Sequence, residues 1–573
     1  MRREYVIARL VFFRNSYMLS REIRLLVLLV LSIGVPFLNK PFHIDDTFFL
    51  HITRSILNTP LNPFVGEINW FGSNRPVWEV TTNPPFLSYY LTPFAVLSNY
   101  SEVALHASML LFLLMMAGAI YYLATRFAPS TWFPVMFVMS SAAIVVSSNA
   151  MQDIPAAGLA AAGIAFYIAG TDRDNRGMLL LGSFLVALAM MTKYWAIITL
   201  PVFALYSFFQ RKSRYTLWIL LPLSFLFLWC LHNFIFYDSI HIVYLTLQRG
   251  DLAVWITWQD KLCGALVILG SILYLVPSIL WRGYISKNVL LLGILMVIIL
   301  GSWWGVQTHF QGSADGEYLF WSIGGAILLT ICIYDGIGRG LFPYLKDRDN
   351  REAADSLFLF LWFCGPLLFS ILLVPSQAVR HLILALPPMT LLSFRYLQLQ
   401  SQSNVRFQNI LLITMLCIQS VLSILVQSAD YEYANTYRQF AEEAKQKWVS
   451  SEHQTWYVGH WGWQFYANRA GFRQIHAGEE MPKKGDIILQ PFIATHDMHD
   501  VFKGNEDILK GLSLLEEKKY DGVIPIKTMN LKGAGFYAIT DARGTPIIPY
   551  RLFQDLSLET FHVFRVGELT APK

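Results

Sequence analysis

Long apolar stretches separated by short polar ones fill the first three quarters of the chain. Each is about the length a helix needs to cross a bilayer core, ~20 residues, or somewhat fewer where flanking side chains snorkel. Cutting the sequence on that length predicts thirteen membrane-spanning helices, at 23–38, 103–125, 131–147, 154–170, 178–192, 194–209, 215–236, 262–281, 288–306, 318–334, 356–374, 382–394 and 408–427. Only Lys193 separates the fifth from the sixth, so that pair reads as two spans or as one bent or re-entrant element. Two segments, 39–102 and 428–573, are too long to be simple connections. Beyond residue 428 the pattern turns polar. Short runs at 455–460, 486–490, 522–527, 536–539 and 561–566 predict strands, and 436–448 and 506–518 have helical spacing. The expected fold is an all-α polytopic membrane domain over 1–427, including the large loop 39–102, followed by an α/β domain over 428–573.

Composition agrees. Of 573 residues, 55% are hydrophobic and only 14% charged, which excludes both a disordered chain and a single soluble globule. A net charge of +5 is too small an excess for a nucleic-acid binder. The five cysteines lie in apolar runs without C-x-x-C spacing, so neither a disulfide framework nor a zinc site is expected. Placing the N-terminus in the cytoplasm puts 20 Lys and Arg inside and seven in the outside loops, with the remaining 17 in the tail. That bias satisfies the positive-inside rule and predicts that loop 39–102 and the tail both lie outside. The first apolar run follows a basic segment, but Phe37-Leu38-Asn39 offers no small-residue cleavage site, so an uncleaved anchor in the inner (plasma) membrane is expected.

Ionisable groups at membrane depth are expensive and mark candidate sites. They cluster at the outer ends of the predicted spans: Asp45 and Asp46, Gln152 and Asp153, Lys193, His232 and Asn233, Arg380 and His381. The cytoplasmic ends show only ordinary basic anchors. One polar cavity holding both carboxylates and cations would suit group transfer from a lipid phosphate. A carboxylate can take the proton of an acceptor hydroxyl or amine, and fixed cations can receive the departing phosphate. No glycine-rich phosphate loop or nucleotide fingerprint is present, which points to a donor on a polyprenyl carrier reached from the bilayer.

Blander readings stand beside these. Asp45, Asp46 and Asp153 each precede or open a helix and could serve as caps. Lys193 and Arg380 could be snorkelling anchors. His43 beside the acidic pair invites a metal assignment without completing one. Trp303, Trp304 and Trp321 fit an aromatic belt. Trp461-Gly462-Trp463-Gln464-Phe465-Tyr466 fits sugar stacking and fits equally an amphipathic helix packed on its own sheet.

Phe42-His43-Ile44-Asp45-Asp46-Thr47-Phe48-Phe49-Leu50, followed by Asn83-Pro84-Pro85-Phe86-Leu87, resembles the first outer loop of the GT-C glycosyltransferases, in the group of protein O-mannosyltransferases and aminoarabinose transferases. Met151-Gln152-Asp153-Ile154-Pro155, Thr192-Lys193-Tyr194 and Arg380-His381-Leu382-Ile383-Leu384-Ala385-Leu386-Pro387-Pro388 extend the similarity in the expected order. The resemblance implies an inverting transferase that moves a sugar from a polyprenyl-phosphate donor to a lipid, glycan or protein acceptor. It implies Asp45 as catalytic base with Asp46 as its acidic neighbour, and Lys193 and Arg380 facing the lipid phosphate. Asn83, Pro84 and Pro85 would shape the cavity wall, with Asp153 and His381 among the substrate-binding groups. Asn83 stands where relatives often carry Lys or His, and Asp46 where Glu is commoner; both departures bear on the donor. A divalent cation is left open, with no metal ligands assigned. The alternatives are a transporter or flippase of a lipid-linked sugar, and a non-catalytic glycan-binding membrane protein.

Overall fold

The computed structural model describes residues 21–128, 130–249, 258–280, 293, 314–374, 377–399, 405–449, 452–529, 535–537 and 548–567. The span expected at 288–306, with Trp303 and Trp304, lies almost wholly outside the described residues, as does part of the strand expected at 536–539. Six described helices are long and apolar enough to cross a membrane: Glu102–Phe127, Asp153–Asp172, Ser213–Tyr237, Gly316–Lys346, Arg351–Leu372 and Val405–Trp448. Ser213–Tyr237 leaves Leu217, Leu220, Phe227, Leu228, Phe234 and Ile235 exposed, and Val405–Trp448 leaves Ile410, Ile413, Val421 and Ile424 exposed. Continuous apolar faces of this kind suit lipid rather than water. The chain is a multi-pass membrane protein.

Helix Asp153–Asp172 forms the axis of the bundle and is buried along almost its whole length. Its Ala- and Gly-rich sequence allows this, because small side chains let neighbouring backbones approach closely. A Cβ on Gly163 would stand 2.8 Å from Gly182 O, and one on Gly182 would stand 2.8 Å from Gly163 O, so only glycine fits this crossing. Gly182 belongs to helix Arg176–Thr192, which ends at the extended residue Lys193. A 3₁₀ turn, Tyr194–Ile198, then leads into helix Thr199–Phe209. Lys212 Nζ donates to Thr171 O at 2.6 Å, which returns the chain to the end where Arg176–Thr192 began. The two helices are therefore a hairpin with Lys193 at its turn.

Other boundaries differ from the sequence pattern for identifiable reasons. The span expected at 131–147 is two short helices, Trp132–Met139 and Ala142–Val145, broken at Ser140 and Ser141. Each serine bonds backbone or a neighbouring amide: Ser141 Oγ donates to Val138 O, and Ser140 Oγ accepts from Gln419 Nε2. The last span and the amphipathic run 436–448 are one helix, Val405–Trp448, which passes unbroken through residues 427 and 428. Trp321 is buried against Tyr274 and Tyr550 rather than placed on a lipid-facing belt.

At the end of the bundle away from loop 39–102, the structure corrects the expectation of simple basic anchors. Arg126 holds Asp355 through Nη1 and Nη2 at 2.7 and 3.1 Å and Asp172 through Nε at 3.1 Å. Tyr206 donates to Asp172 at 2.5 Å, and Arg339 pairs with Asp335 and Glu352. Loop composition alone could not reveal this, because the acids sit inside helix ends far apart in sequence. Arg126→Ala leaves Asp355 and Asp172 short of their shared partner and should cost about 2–3 kcal/mol, discounted for partial exposure from the value for a buried pair. A thermal scan in detergent showing an unchanged melting temperature would contradict that assignment.

At the opposite end, loop 39–102 folds into helix Asp46–Asn58, a small ribbon of β1 (Glu67–Asn69) and β2 (Asn74–Pro76), and helix Phe86–Leu97. The tail sits on this loop. Its strands are β3 (Thr455–Tyr457), β4 (Arg473–Gln474), β5 (Ile487–Pro491), β6 (Leu512–Asp521), β7 (Ile526–Lys527), β8 (Arg551–Leu552) and β9 (Ser557–Val566). Five of them form a mixed sheet in the order β4-β3-β5-β9-β6; β3 is parallel to β4 and β5, and β9 is antiparallel to β5 and β6.

The helix expected at 506–518 is confined to Glu506–Lys510, and Leu512–Asp521 is the edge strand β6 instead. Gly511 ends the helix, and the charged run Glu516-Glu517-Lys518-Lys519 suits a solvated sheet edge as well as it suits a helix. The strand expected at 522–527 shrinks to Ile526–Lys527, since Pro525 supplies no ladder donor. Helix Trp461–Ala470 packs on the sheet through Trp463, which is buried against Phe440 and Phe561. Its Tyr466 hydroxyl accepts from Phe42 N at 2.9 Å and donates to Glu102 at 2.9 Å, fixing the tail onto the loop.

Candidate active site

The turn before helix Asp46–Asn58 places two adjacent acids in opposite surroundings. Asp45 precedes the helix but makes no side-chain cap bond. Its Oδ2 instead accepts from Arg380 Nη1 at 3.0 Å, across 335 residues of sequence. Arg380 lies in the 3₁₀ turn Val379–Ala385, where Ala378 N donates to His381 Nδ1 at 3.2 Å and steadies the bend. The same Nη1 stands 4.0 Å from Asp153 Oδ2, and Asp153 Oδ1 accepts from Lys193 Nζ at 2.5 Å. Two carboxylates and two cations from four separate parts of the chain thus form one chain of ion pairs with no net charge. The Arg380 Nε–H, though buried, has no partner among the described residues. Asp45 and Arg380 are 29% and 20% exposed, so a ligand can reach them.

Gln152, next to Asp153, donates from Nε2 to Pro84 O at 3.1 Å. This bond ties the Pro84-Pro85 turn to the mouth of the ion-pair chain, while Pro85 leads into helix Phe86–Leu97. Asn83 points elsewhere and bonds Thr82 Oγ1 at 2.8 Å. His232 is also apart, with Nε2 at 2.7 Å from Leu61 O and its ring stacked on Trp229 and Phe236.

Asp46 belongs to a different environment. It is fully buried, its Oδ2 accepts from His43 N at 2.9 Å, and its Oδ1 has no partner among the described residues. Burial pushes its pKa up to about 7, against the opposing pull of the His43 N–H. In the unfolded chain the carboxyl titrates near ~4, so the stability it contributes is full below that pH and is lost as pH rises towards about 7. Asp46→Asn mimics the protonated acid. Its stability relative to wild type should rise between about pH 4 and 7 and then level off. Parallel denaturation profiles for the two proteins would show that Asp46 is not the group responsible.

Behind Asp46 lies a buried polar knot that sequence reasoning passed over. Lys40 Nζ contacts Asp430, and donates to Asn149 Oδ1 at 3.0 Å. Asp430 also accepts from Tyr537 at 2.6 Å and from Thr528 at 2.7 Å, and Asn149 Nδ2 donates to the Tyr537 hydroxyl at 2.9 Å. His43 sits edge-on to Tyr433 and Tyr537, with Nε2 3.6 Å from Asp430. Burial holds its pKa below the usual imidazole value. The knot joins loop 39–102, the segment before helix Asp153–Asp172, the long last helix and the tail. The signal was available: Lys40 and Asp430 follow the predicted first and last spans at the same depth as Asp45 and Arg380. Among the described residues, no three of His, Cys, Asp and Glu are grouped as they would be to hold a metal ion.

Solved structures resemble this fold. The archaeal oligosaccharyltransferase AglB from Archaeoglobus fulgidus, in complex with an inhibitory peptide and a dolichol-phosphate, matches over 81% of this chain at 11% identity and a TM-score of 0.44. This chain spans 65% of that protein's length. The apo form of the Archaeoglobus fulgidus oligosaccharyltransferase matches over 81% of this chain and 65% of its own length at 10% identity, with a TM-score of 0.45. ArnT from Cupriavidus metallidurans, bound to undecaprenyl phosphate, matches over 97% of this chain and 100% of its own length at 13% identity, with a TM-score of 0.36. No protein-family model and no curated protein matches the sequence.

Proposed function

We propose that the protein is a membrane glycosyltransferase that moves a sugar from a polyprenyl-phosphate donor to an acceptor at the extracytoplasmic face of the cell's plasma membrane. The observation that carries this reading is the ion-pair chain Asp45–Arg380–Asp153–Lys193 at the end of the bundle where the loop and tail meet. The positive-inside count supports an outside position for that end. The acceptor oxygen or nitrogen attacks the anomeric carbon of the donor as the bond from that carbon to the phosphate oxygen breaks. The lipid phosphate leaves with the bonding electrons, and the acceptor proton passes to Asp45. Inversion at the anomeric carbon follows from a single displacement. Arg380, whose Nε–H has no partner among the described residues, and Lys193 receive the leaving phosphate, whose charge is best stabilised by donors already fixed in place. Asp153 holds these two cations in place. Asp46 and the knot behind it support the loop that presents Asp45, so Asp46 acts through position rather than by touching substrate.

Proteoliposomes containing the protein and labelled polyprenyl-phosphate hexoses test the reading. A new glycosidic bond to an added lipid, glycan or peptide acceptor is the expected result. Net movement of intact donor between leaflets without product would make the protein a transporter, and binding without either would make it a non-catalytic receptor.

A further inference from the structure

The tail carries an apolar tip that stands out from its own fold. Two turns lie side by side there, one between β6 and β7 and the other between β8 and β9. Gly522 N donates to Leu556 O at 2.7 Å, Gln554 N donates to Pro525 O at 3.0 Å, and Lys527 pairs with Asp555 at 3.1 Å. Val523 on the first turn is 83% exposed and Phe553 on the second is 88% exposed, with Leu556 also exposed. Phe553 holds a φ of 52°, a left-handed conformation uncommon for so bulky a residue. Single exposed apolar side chains are ordinary on a protein surface, but a group of them on adjoining turns forms a patch of the kind that meets a partner.

The position of the tip identifies that partner, because both turns are bonded to membrane-spanning helices. Glu432 Oε2 accepts from Val523 N at 2.9 Å and from Ile524 N at 3.3 Å. Glu432 belongs to helix Val405–Trp448 and lies about two turns, ~10 Å of rise, beyond the exposed Ile424 and Leu425. Glu317 Oε2 accepts from Leu552 N at 3.4 Å, and Glu317 stands within one turn of the exposed Leu319 and Phe320 on helix Gly316–Lys346. Phe553 follows Leu552 directly. On two helices, then, the tip continues the apolar faces suited to lipid at the level where they give way to polar residues. Exposed Phe and aliphatic side chains at that level suit the boundary between headgroups and acyl chains. The charges around the tip are Lys527, paired with Asp555, and the acidic Glu317 and Glu432. They give anionic headgroups no attraction, so contact rests on burial of apolar surface.

We infer that Val523, Phe553 and Leu556 dip into the membrane leaflet on the tail's side and hold the tail down on the bilayer. This lipid contact is separate from the Lys40–Asp430 knot, which fastens the tail to the bundle, and it stands whether or not the protein transfers sugar.

Nitroxide accessibility in phosphatidylcholine nanodiscs holding one copy of the full-length protein tests the inference. The label is attached through p-acetylphenylalanine in place of Phe553 or, in a second protein, in place of Val523, because the exposed Cys417 would compete for a thiol reagent. Leu514 is the reference position: it is exposed on the same tail, seven residues before the end of β6 and so ~23 Å further along the strand. The ratio of collisions with dissolved oxygen to collisions with a water-soluble nickel chelate should be about threefold or more higher at positions 553 and 523 than at 514. Either labelled protein suffices if the other fails to fold. A ratio at both positions no higher than at 514 overturns the inference. Spin–spin broadening at those positions in discs holding two copies would then name a second copy of this chain as the partner.

Discussion

Replacing Asp45 by Asn should lower glycosyl transfer by about 10²–10⁴-fold, the usual range for loss of a positioned general base. Asn is nearly the same shape and can still accept from Arg380 Nη1 through its carbonyl oxygen, so the loop should stay in place. What disappears is the capacity to take a proton from the acceptor. The fall should therefore appear in kcat, with donor KM little changed. Asp45 is partly exposed and makes no cap bond to helix Asp46–Asn58, so the variant should melt close to wild type. Rates within about threefold of wild type would remove Asp45 from the chemistry. A large loss of stability would mean that its pairing with Arg380 is architectural.

The second large effect concerns the buried knot. Asp430→Leu strands the Lys40 ammonium in a fully buried position and deprives Tyr537 and Thr528 of their acceptor. Breaking one side of such a pair costs about 3–5 kcal/mol. The tail should loosen from loop 39–102 and become open to protease near Thr528. The double variant Lys40→Met/Asp430→Leu should recover much of that loss, because an apolar pair of similar volume can replace a buried ion pair at little cost. A double variant no better than Asp430→Leu alone would show that the hydroxyl and amide bonds, not the charge pair, carry the docking.

Much of this arrangement was legible in the sequence because lipid imposes a strict length and polarity code. Helices Glu102–Phe127 and Arg351–Leu372 follow directly from apolar run length. The depth rule grouped Asp45, Asp153, Lys193 and Arg380, which are in ion-pair contact. It failed where it was applied unevenly. Lys40 reads as one of the seven outside-loop cations and Asp430 as part of the polar tail, although both follow a predicted span end just as Asp45 does. The tail was harder to read because its β6 edge strand carries a Glu-Lys run that suits either period, and its boundary vanished because Val405–Trp448 continues from lipid into the polar domain without a break.

Arg380 and Lys193 are proposed to receive a lipid phosphate beside Asp45. The most direct test compares binding of undecaprenyl phosphate and phosphate-free undecaprenol to the protein in nanodiscs, for wild type and for Arg380→Gln, which keeps a donor for Asp45 but loses the charge. Wild type should favour the phosphate by about tenfold or more, the worth of one hydrogen bond to a charged group, and Arg380→Gln should lose most of that preference. Equal affinity of wild type for the two lipids, or a preference untouched by Arg380→Gln, would contradict the account.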